Sequence, residues 1–485
     1  MRVILSGYNF DADLIKELKE KAGWQRDNIT PETLSAAYAR ISRDPRDIEV
    51  LRREAREEVD RARRSNETII FGLGHSSVAE HAYFNFDVIG LSRLAVEHVQ
   101  KFRFASFTEK SQRYIRLDDD YVIPQEIVEA GFEKKFCDII KAQNEAYSTL
   151  YEVLLENFLK KHSKTAESRN GRRMVEGWAK EDARYVVSMA CESQFGMSIN
   201  ARNLENMLRQ LANSELEEVR VLSQNIFDRV KDLSPSIIKY VEPTEYDRFA
   251  DAELDEMLCS IPFEEKICED SSEVKLLSCT PDPDREIAKI AVSAVKNIDI
   301  DQAASFIDSV DDETLGRILK QCLKYRMPYD SVKRYFEFSD ALFELTVSSS
   351  NYAQLKRHRI SSIITRPYNT DLGYTVPESI LETGMENKFR DIMKNTEDVF
   401  CEMSDLIPVH AAYLLTNAHR RKVILRMNFR ELYHFISLRL DEHAQWDIRK
   451  TAKLMMDELK KKAPHSTAMM CGKSSFDSTK KSVYG

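Results

Sequence analysis

Arg357, His358 and Arg359 stand in a row in AQLKRHRISSIITRPYN (residues 353–369), behind small and apolar residues. Guanidinium groups offer rigid forks of donors that match phosphate, and an imidazole between them can stack or hydrogen-bond. A solvated cationic face would carry the same triplet, so the run alone does not choose. The segment FTEKSQRY (107–114) places Glu109, Lys110, Ser111, Gln112 and Arg113 in a short polar loop. Ser111 and Arg113 can hold a phosphate there, with a plain polar turn as the competing reading. Further on, Arg430 and His434 are four residues apart, as are Arg439 and His443, so each pair shares a face of a helix. Arg439 interrupts an apolar helical pattern, where a guanidinium must meet an anion or reach solvent. GLGHSSVAEH (72–81) gathers His75, Glu80 and His81, but without HExxH spacing or a further ligand, which argues against zinc. The chain has no phosphate-binding GxxxxGK[ST] loop, no GxGxxG after a strand and no GxSxG elbow. No cysteine sits in a nucleophile motif. Catalysis by this set would come from positioned arginines and a cofactor.

The elements that must position these residues occur twice. VQKFRFASFTEKSQRYIR (99–116) has the frame of 353–369, with Lys101-Phe102-Arg103 where the later copy has Arg-His-Arg. IPQEIVEAGFEKKFCDII (123–140) aligns without gaps on VPESILETGMENKFRDIM (376–393), with nine of sixteen residues identical between Pro124–Ile139 and Pro377–Ile392. MRVILSG resembles EVKLLSC (273–279), each a short β-type run that can open a domain. Helix-patterned segments close each copy, NARNLENMLRQLANSELEEVR (200–220) and NFRELYHFISLRLDEHAQWDIR (428–449); Leu432, Phe435, Ile436 and Leu440 of the second fall on one face. Between the copies, residues 242–272 hold eleven acids against two bases with Pro243 and Pro262, the composition of a solvated linker. The expected organisation is therefore two domains, 1–241 and 273–485, joined by an acidic linker at 242–272. The charged stretch 43–66 reads as an exposed helix with i,i+4 pairs, and the Ser- and Lys-rich tail after Ala463 as loosely held.

Bulk properties agree. A chain of 485 residues fits two domains of roughly 200–250 residues. With 42% hydrophobic and 31% charged residues it reads as a globular protein, and its net charge of −9 argues against binding nucleic acid through the whole surface. No apolar run approaches the roughly 20 residues that span a bilayer, and MRVILSGYNFD does not read as a signal peptide. Eight cysteines without a CxxC pair suit reduced thiols in a cytoplasm.

RHRIS (357–361) and LRLDEHAQWDIR (438–449), with the earlier GHSSVAEHAYFNF (74–86) and FASFTEKSQRY (104–114), resemble the flavin-dependent thymidylate synthases. The resemblance covers both halves. It implies an α+β fold in two tandem copies of that family's domain, mostly helical with a small sheet in each. Family members are homotetramers with active sites shared between subunits, so a homodimer of tandem chains is implied here. The resemblance assigns Arg357, His358, Arg359, Asn428, Arg430 and His434 to the flavin, with Glu109, His75 and Ser77 near flavin and folate. It assigns Gln354, Arg357, Glu109, Lys110, Ser111, Gln112, Arg113, Arg184 and Arg439 to the nucleotide, and makes Arg439 the catalytic residue.

The two sets interlock. The first half has Phe102 for the central histidine and Leu211 for the catalytic arginine; the second has ITRPYN for the Glu-x-Ser-x-Arg loop and no clear partner for Arg184. One composite site, retained while its twin decayed, accounts for that pattern. The implied reaction methylates dUMP to dTMP with FAD, methylenetetrahydrofolate as one-carbon donor and NADPH as reductant, with no metal, no nucleic acid polymer and no membrane. A related flavin-dependent alkyl transfer to another nucleotide or metabolite, or a non-catalytic flavin- or nucleotide-binding protein, are the alternatives.

Overall fold

The computed structural model describes residues 1–10, 30–41, 44–113, 120–262 and 272–485. Two antiparallel four-stranded sheets repeat one topology. Strands β1 (Arg2–Tyr8), β2 (Tyr83–Ser92), β3 (Ala105–Glu109) and β4 (Glu192–Asn200) run in the order β1-β2-β4-β3; β5 (Val274–Cys279), β6 (Asp340–Ser348), β7 (Ser362–Thr365) and β8 (Arg420–Asn428) run β5-β6-β8-β7. Alternation sets which face is buried: Phe84, Phe86 and Val88 of β2, and Ala341, Phe343, Leu345 and Val347 of β6, point into a core. The other elements are helices, giving the expected α+β class. The repeat extends to backbone detail. Pro124 and Pro377 each precede a five-residue helix, and Gly131 and Gly384 follow with φ of 80° and 69°, a left-handed conformation that favours glycine. No helix among the described residues is long and apolar enough to cross a membrane.

The chain forms two compact units, neither of them one continuous stretch. The first comprises Met1–Glu145, Val187–Lys266 and Asn395–Leu415; the second comprises Ala146–Val186, Ile267–Lys394 and Thr416–Gly485. Each unit thus takes one segment from the half that otherwise builds the other. In the first, the helices Arg93–Gln100 and Ala201–Ala212 pack on the β2–β4 pair, and Glu217–Val230 packs on β1 and on both of those helices. In the second, one apolar core runs from Val274 to Phe476 and takes in Leu432, Phe435, Ile436, Met455, Leu459 and Met469.

Three sequence expectations change, and the acidic interval gains a helix without buried residues. The charged stretch 43–66 is two helices, Ile48–Glu57 and Val59–Glu67, and it is not wholly exposed: Leu51, Ala55 and Ala62 join Ala36 and Ala37 in a small core. Position 43 lies outside the described residues. Leu51 and Ala55, one turn apart, bury a face of the first charged helix, and Ala62 does the same for the second. The acidic interval contains a helix, Glu245–Cys259, opened by a reciprocal Thr244–Asp247 cap; residues 263–271 are outside the described set. The tail after Ala463 is held, because Met469, Met470 and Phe476 are buried in the second core, and Tyr484 Oη donates to Lys320 O at 2.7 Å. Segment 428–449 is two helices rather than one, Phe429–Arg439 and Trp446–Lys462, separated by a turn in which Asp441 accepts from the backbone N–H groups of His443 and Ser474.

Candidate functional site

In the second unit β6 leads through Ser348 into the helix Ser349–Leu355, whose end carries Arg357–Arg359, and β8 leads through Asn428 into Phe429–Arg439. A side chain caps the start of each helix. Ser348 Oγ accepts from Asn351 N at 3.0 Å, and Asn428 Oδ1 from Glu431 N at 2.9 Å. The Asn428 oxygen is therefore used to start the helix, a local role beside the flavin contact expected of it.

His358 sits between the two helices and is 4% exposed, with its ring edge-on to Phe435 at 4.9 Å and to His434 at 5.7 Å. Arg439 Nε donates to His358 Nε2 at 2.9 Å, and His358 Nδ1 lies 3.0 Å from Glu431 Oε1. Because Arg439 can only donate, Nε2 must accept and Nδ1 must carry the proton given to Glu431. Burial, then the charges of Arg439 and His434, hold the imidazole well below its ordinary pKa, so it is neutral. Burial also raises the Glu431 carboxyl. Arg439 Nη2 donates to Gln354 O at 3.1 Å, and these two bonds fix the guanidinium plane. The ligand atoms of His358, Glu431 and His434 lie within 4.8 Å of one another. The bonds just described commit both His358 nitrogens, so a cation there would have to displace Arg439 or the proton on Nδ1.

Arg184 reaches this unit from the first half of the sequence. It follows the helix Arg169–Ala183, is 7% exposed, and its Nη2 donates to Ser350 Oγ at 2.7 Å, one turn before Gln354. Its carbonyl accepts from Asn417 Nδ2 at 3.0 Å. Tyr185 is wholly buried, stacked on Trp446 at 5.6 Å and 18°, with its hydroxyl 3.0 Å from Asp447 Oδ2. Thus Gln354, Arg357, His358, Arg359, Asn428, Arg430, His434, Arg439 and Arg184 all belong to the second unit. Arg430 Nη1 meets Glu337 Oε1 at 2.5 Å. Sequence reasoning missed Glu431, Tyr185, Gln445 and Asp447. Glu431 lies between two residues that were singled out, Gln445 and Asp447 lie within the matched segment LRLDEHAQWDIR, and the only signal for Tyr185 was its place beside Arg184.

The first unit repeats the frame without the Arg-His-Arg triplet and without a counterpart of Arg439. Tyr413 Oη donates to Glu218 at 2.8 Å, as Tyr185 does to Asp447, and Glu218 also accepts from the N–H and hydroxyl of Ser92. Ala412 precedes Tyr413 where Arg184 precedes Tyr185, and Leu211, in the place of Arg439, is buried. The polar loop leaves β3 at Glu109, whose carboxylate accepts from Arg93 Nη1 at 2.9 Å, Gln100 Nε2 at 3.1 Å and Ser193 Oγ at 3.2 Å. The carboxylate thereby anchors the start of the loop, a local role beside the ligand contacts expected of it. Lys110 N donates to Gln194 O at 2.8 Å, Gln112 is buried, and Arg113 N donates to Ser111 Oγ at 3.3 Å. Tyr114 lies outside the described residues. His75 and Ser77 are exposed on a short helical turn, while Glu80 pairs with Arg202 and His81 packs on Tyr38.

The second unit's donor set fits an anionic, aromatic cofactor: exposed Arg357, Arg359 and His434 surround a buried neutral imidazole. The model of a protein family described as thymidylate synthase complementing protein matches residues 27–236 and again 275–465. A flavin-dependent thymidylate synthase of Clostridium tetani is 30% identical over 219 residues, 44% of this chain and 83% of its own. UPF0159 proteins of Thermoplasma acidophilum and Chlamydia muridarum are 22% identical over 476 residues and 25% over 411. Those alignments cover 89% and 81% of this chain and 92% and 77% of theirs. With a family match in each half, and the clostridial relative covered over most of its length, the chain belongs to the flavin-dependent thymidylate synthase family and carries its domain twice.

Proposed function

We propose that this protein methylates dUMP to dTMP, with FAD as cofactor, methylenetetrahydrofolate as one-carbon donor and NADPH as reductant. The observation that carries the reading is the Arg439–His358–Glu431 chain, with Arg184 brought to the same unit by the other half. The bound flavin would supply the redox chemistry. Arg357, Arg359, His434, Asn428 and Arg430 hold it, with His358 as the buried support. Arg439 faces the uracil carbonyl and N3, where negative charge grows as the ring is polarised for attack. A guanidinium held by His358 and Gln354 needs no reorganisation at that moment, and a preorganised donor of this kind is worth about 3 kcal/mol of barrier. No protein nucleophile is required. Arg184 and Gln354 bind the nucleotide, and Ser111 and Arg113, flanked by Lys110 and Gln112, take its 5′-phosphate. Glu109, His75 and Ser77 are assigned to cofactor and folate by family pattern. Two tandem chains contain four family domains, so a homodimer is the proposed assembly.

The test is growth without thymidine of a host lacking its own thymidylate synthase, together with dTMP formation by the purified yellow protein. A yellow protein that makes no dTMP from dUMP would point to alkyl transfer on another nucleotide or metabolite. A protein that cannot be loaded with FAD would leave a non-catalytic role.

A further inference from the structure

Four buried side chains of the second unit hydrogen-bond in a line. Asp447 Oδ2 accepts from Tyr185 Oη at 3.0 Å, Tyr185 Oη accepts from Gln445 Nε2 at 2.6 Å, and Gln445 Oε1 accepts from Gln354 Nε2 at 3.1 Å. Tyr185 and Gln445 have no exposure, and Asp447 and Gln354 are 7% and 8% exposed. The polarity of the line follows from donor inventory. A carboxylate only accepts, so the phenol gives its single proton to Asp447. The phenol oxygen can then only accept from Gln445, which must present its amide nitrogen to Tyr185 and its oxygen to Gln354. Gln354 therefore turns its nitrogen toward Gln445 and its oxygen away. Asp447 is itself held, accepting from Ser348 Oγ at 2.5 Å and Asn351 Nδ2 at 3.0 Å.

We propose that Tyr185 is a positioning residue that sets the base specificity of the site, by fixing the Gln354 amide with its acceptor oxygen outward. The inference rests on the nucleotide-binding role proposed above for Gln354. An outward acceptor takes the N3–H of a uracil-type base. A cytosine-type base has a lone pair at that position and meets the oxygen with repulsion.

The first unit supplies a natural contrast. Tyr413 keeps its bond to an acid, Glu218, but the residue before Glu217 is Leu216, where the second unit has Gln445, and His98 stands in the place of Gln354. The tyrosine–acid pair is thus common to both frames, while the extension through two amides occurs only where the cations have been kept. Tyr185 also adjoins Arg184, whose bond to Ser350 ties the same segment to the helix bearing Gln354. One backbone segment therefore places a cation and sets an amide.

The experiment compares dissociation constants for dUMP and dCMP, by calorimetry on the full-length flavin-loaded protein, in the wild type, Tyr185→Phe and Gln445→Leu. Tyr185→Phe keeps the ring on Trp446 and removes only the hydroxyl. Gln445→Leu installs the residue that the first unit carries and serves if the tyrosine variant does not fold. The wild type is expected to prefer dUMP, and each variant to lose at least tenfold of that preference, because the Gln354 amide can then present either edge. A variant that folds, holds flavin and keeps the preference within twofold would overturn the proposal and leave Tyr185 a structural role. Wild-type protein that binds neither nucleotide would instead overturn the nucleotide reading itself, and this inference with it.

Discussion

Asp182 is the residue whose ionisation should be easiest to read in the stability of the second unit. It lies two residues before Arg184, accepts from Ser379 Oγ at 2.6 Å and from Trp446 Nε1 at 2.8 Å, and burial raises its pKa from 3.8 to about 6. The two hydrogen bonds and Arg184 oppose that rise without cancelling it, and Glu181 adds to it. Below the unfolded value both states are protonated and the group is neutral toward stability. Between pH 4 and 6 the unfolded chain loses its proton first, so stability falls as pH rises, and above about 6 the whole penalty is present. A shift of about two units corresponds to about 3 kcal/mol. Asp182→Asn cannot ionise, keeps an oxygen for Trp446, and offers an amide N–H to Ser379 Oγ. Urea denaturation followed by tryptophan fluorescence should show the variant more stable by about 2–3 kcal/mol at pH 7.5 and nearly equal to wild type at pH 4. A variant no more stable at pH 7.5, or one stabilised equally at both pH values, would refute the reasoning.

His358→Phe installs the residue of the first half and strips Arg439 of its Nε partner. A hydrogen bond to a charged group is worth about 1.5–3 kcal/mol, so dTMP formation should fall by roughly 10- to 150-fold with flavin still bound. Arg439→Ala and Arg113→Ala should each abolish turnover, whereas Arg103→Ala, in the triplet that lost its histidine, should cost little; equal losses from all three would end the single-site reading. Arg93→Met removes the main partner of the Glu109 carboxylate, so nucleotide affinity should drop at least tenfold, with partial recovery in Arg93→Met/Glu109→Gln, measured by titration with dUMP.

Much of this was legible from residue types. The alignment of 123–140 with 376–393 exposed the repeat, and each of its matched glycines does adopt a left-handed turn. Arg439 stood out because a charge inside an apolar pattern needs a reason, whereas Arg357 and Arg359 did so only through the family resemblance. What could not be read was which partner each helix would choose. Periodicity shows that a helix buries a face without naming what covers it, so the passage of Ala146–Val186 and Asn395–Leu415 into the opposite units left no local mark. Polar residues with buried roles were hidden for a related reason. Glu431, Tyr185 and Gln445 acquire meaning only from partners 73 to 262 residues away.

Mutation falls on stretches of gene, but selection acts on what a folded unit can do, and in this chain the two partitions differ. Arg184 is encoded in the first half and belongs to the second unit, so on the proposed reading loss of one centre would spare that codon while leaving its counterpart, now Ala412, free to change. The contrast between Arg184 and Ala412 then follows the unit to which each residue belongs and not the half that encodes it. The same division constrains gene fission. A break in the acidic interval would yield two polypeptides, neither of which owns all the segments of either unit, so each unit could form only where the two chains associate.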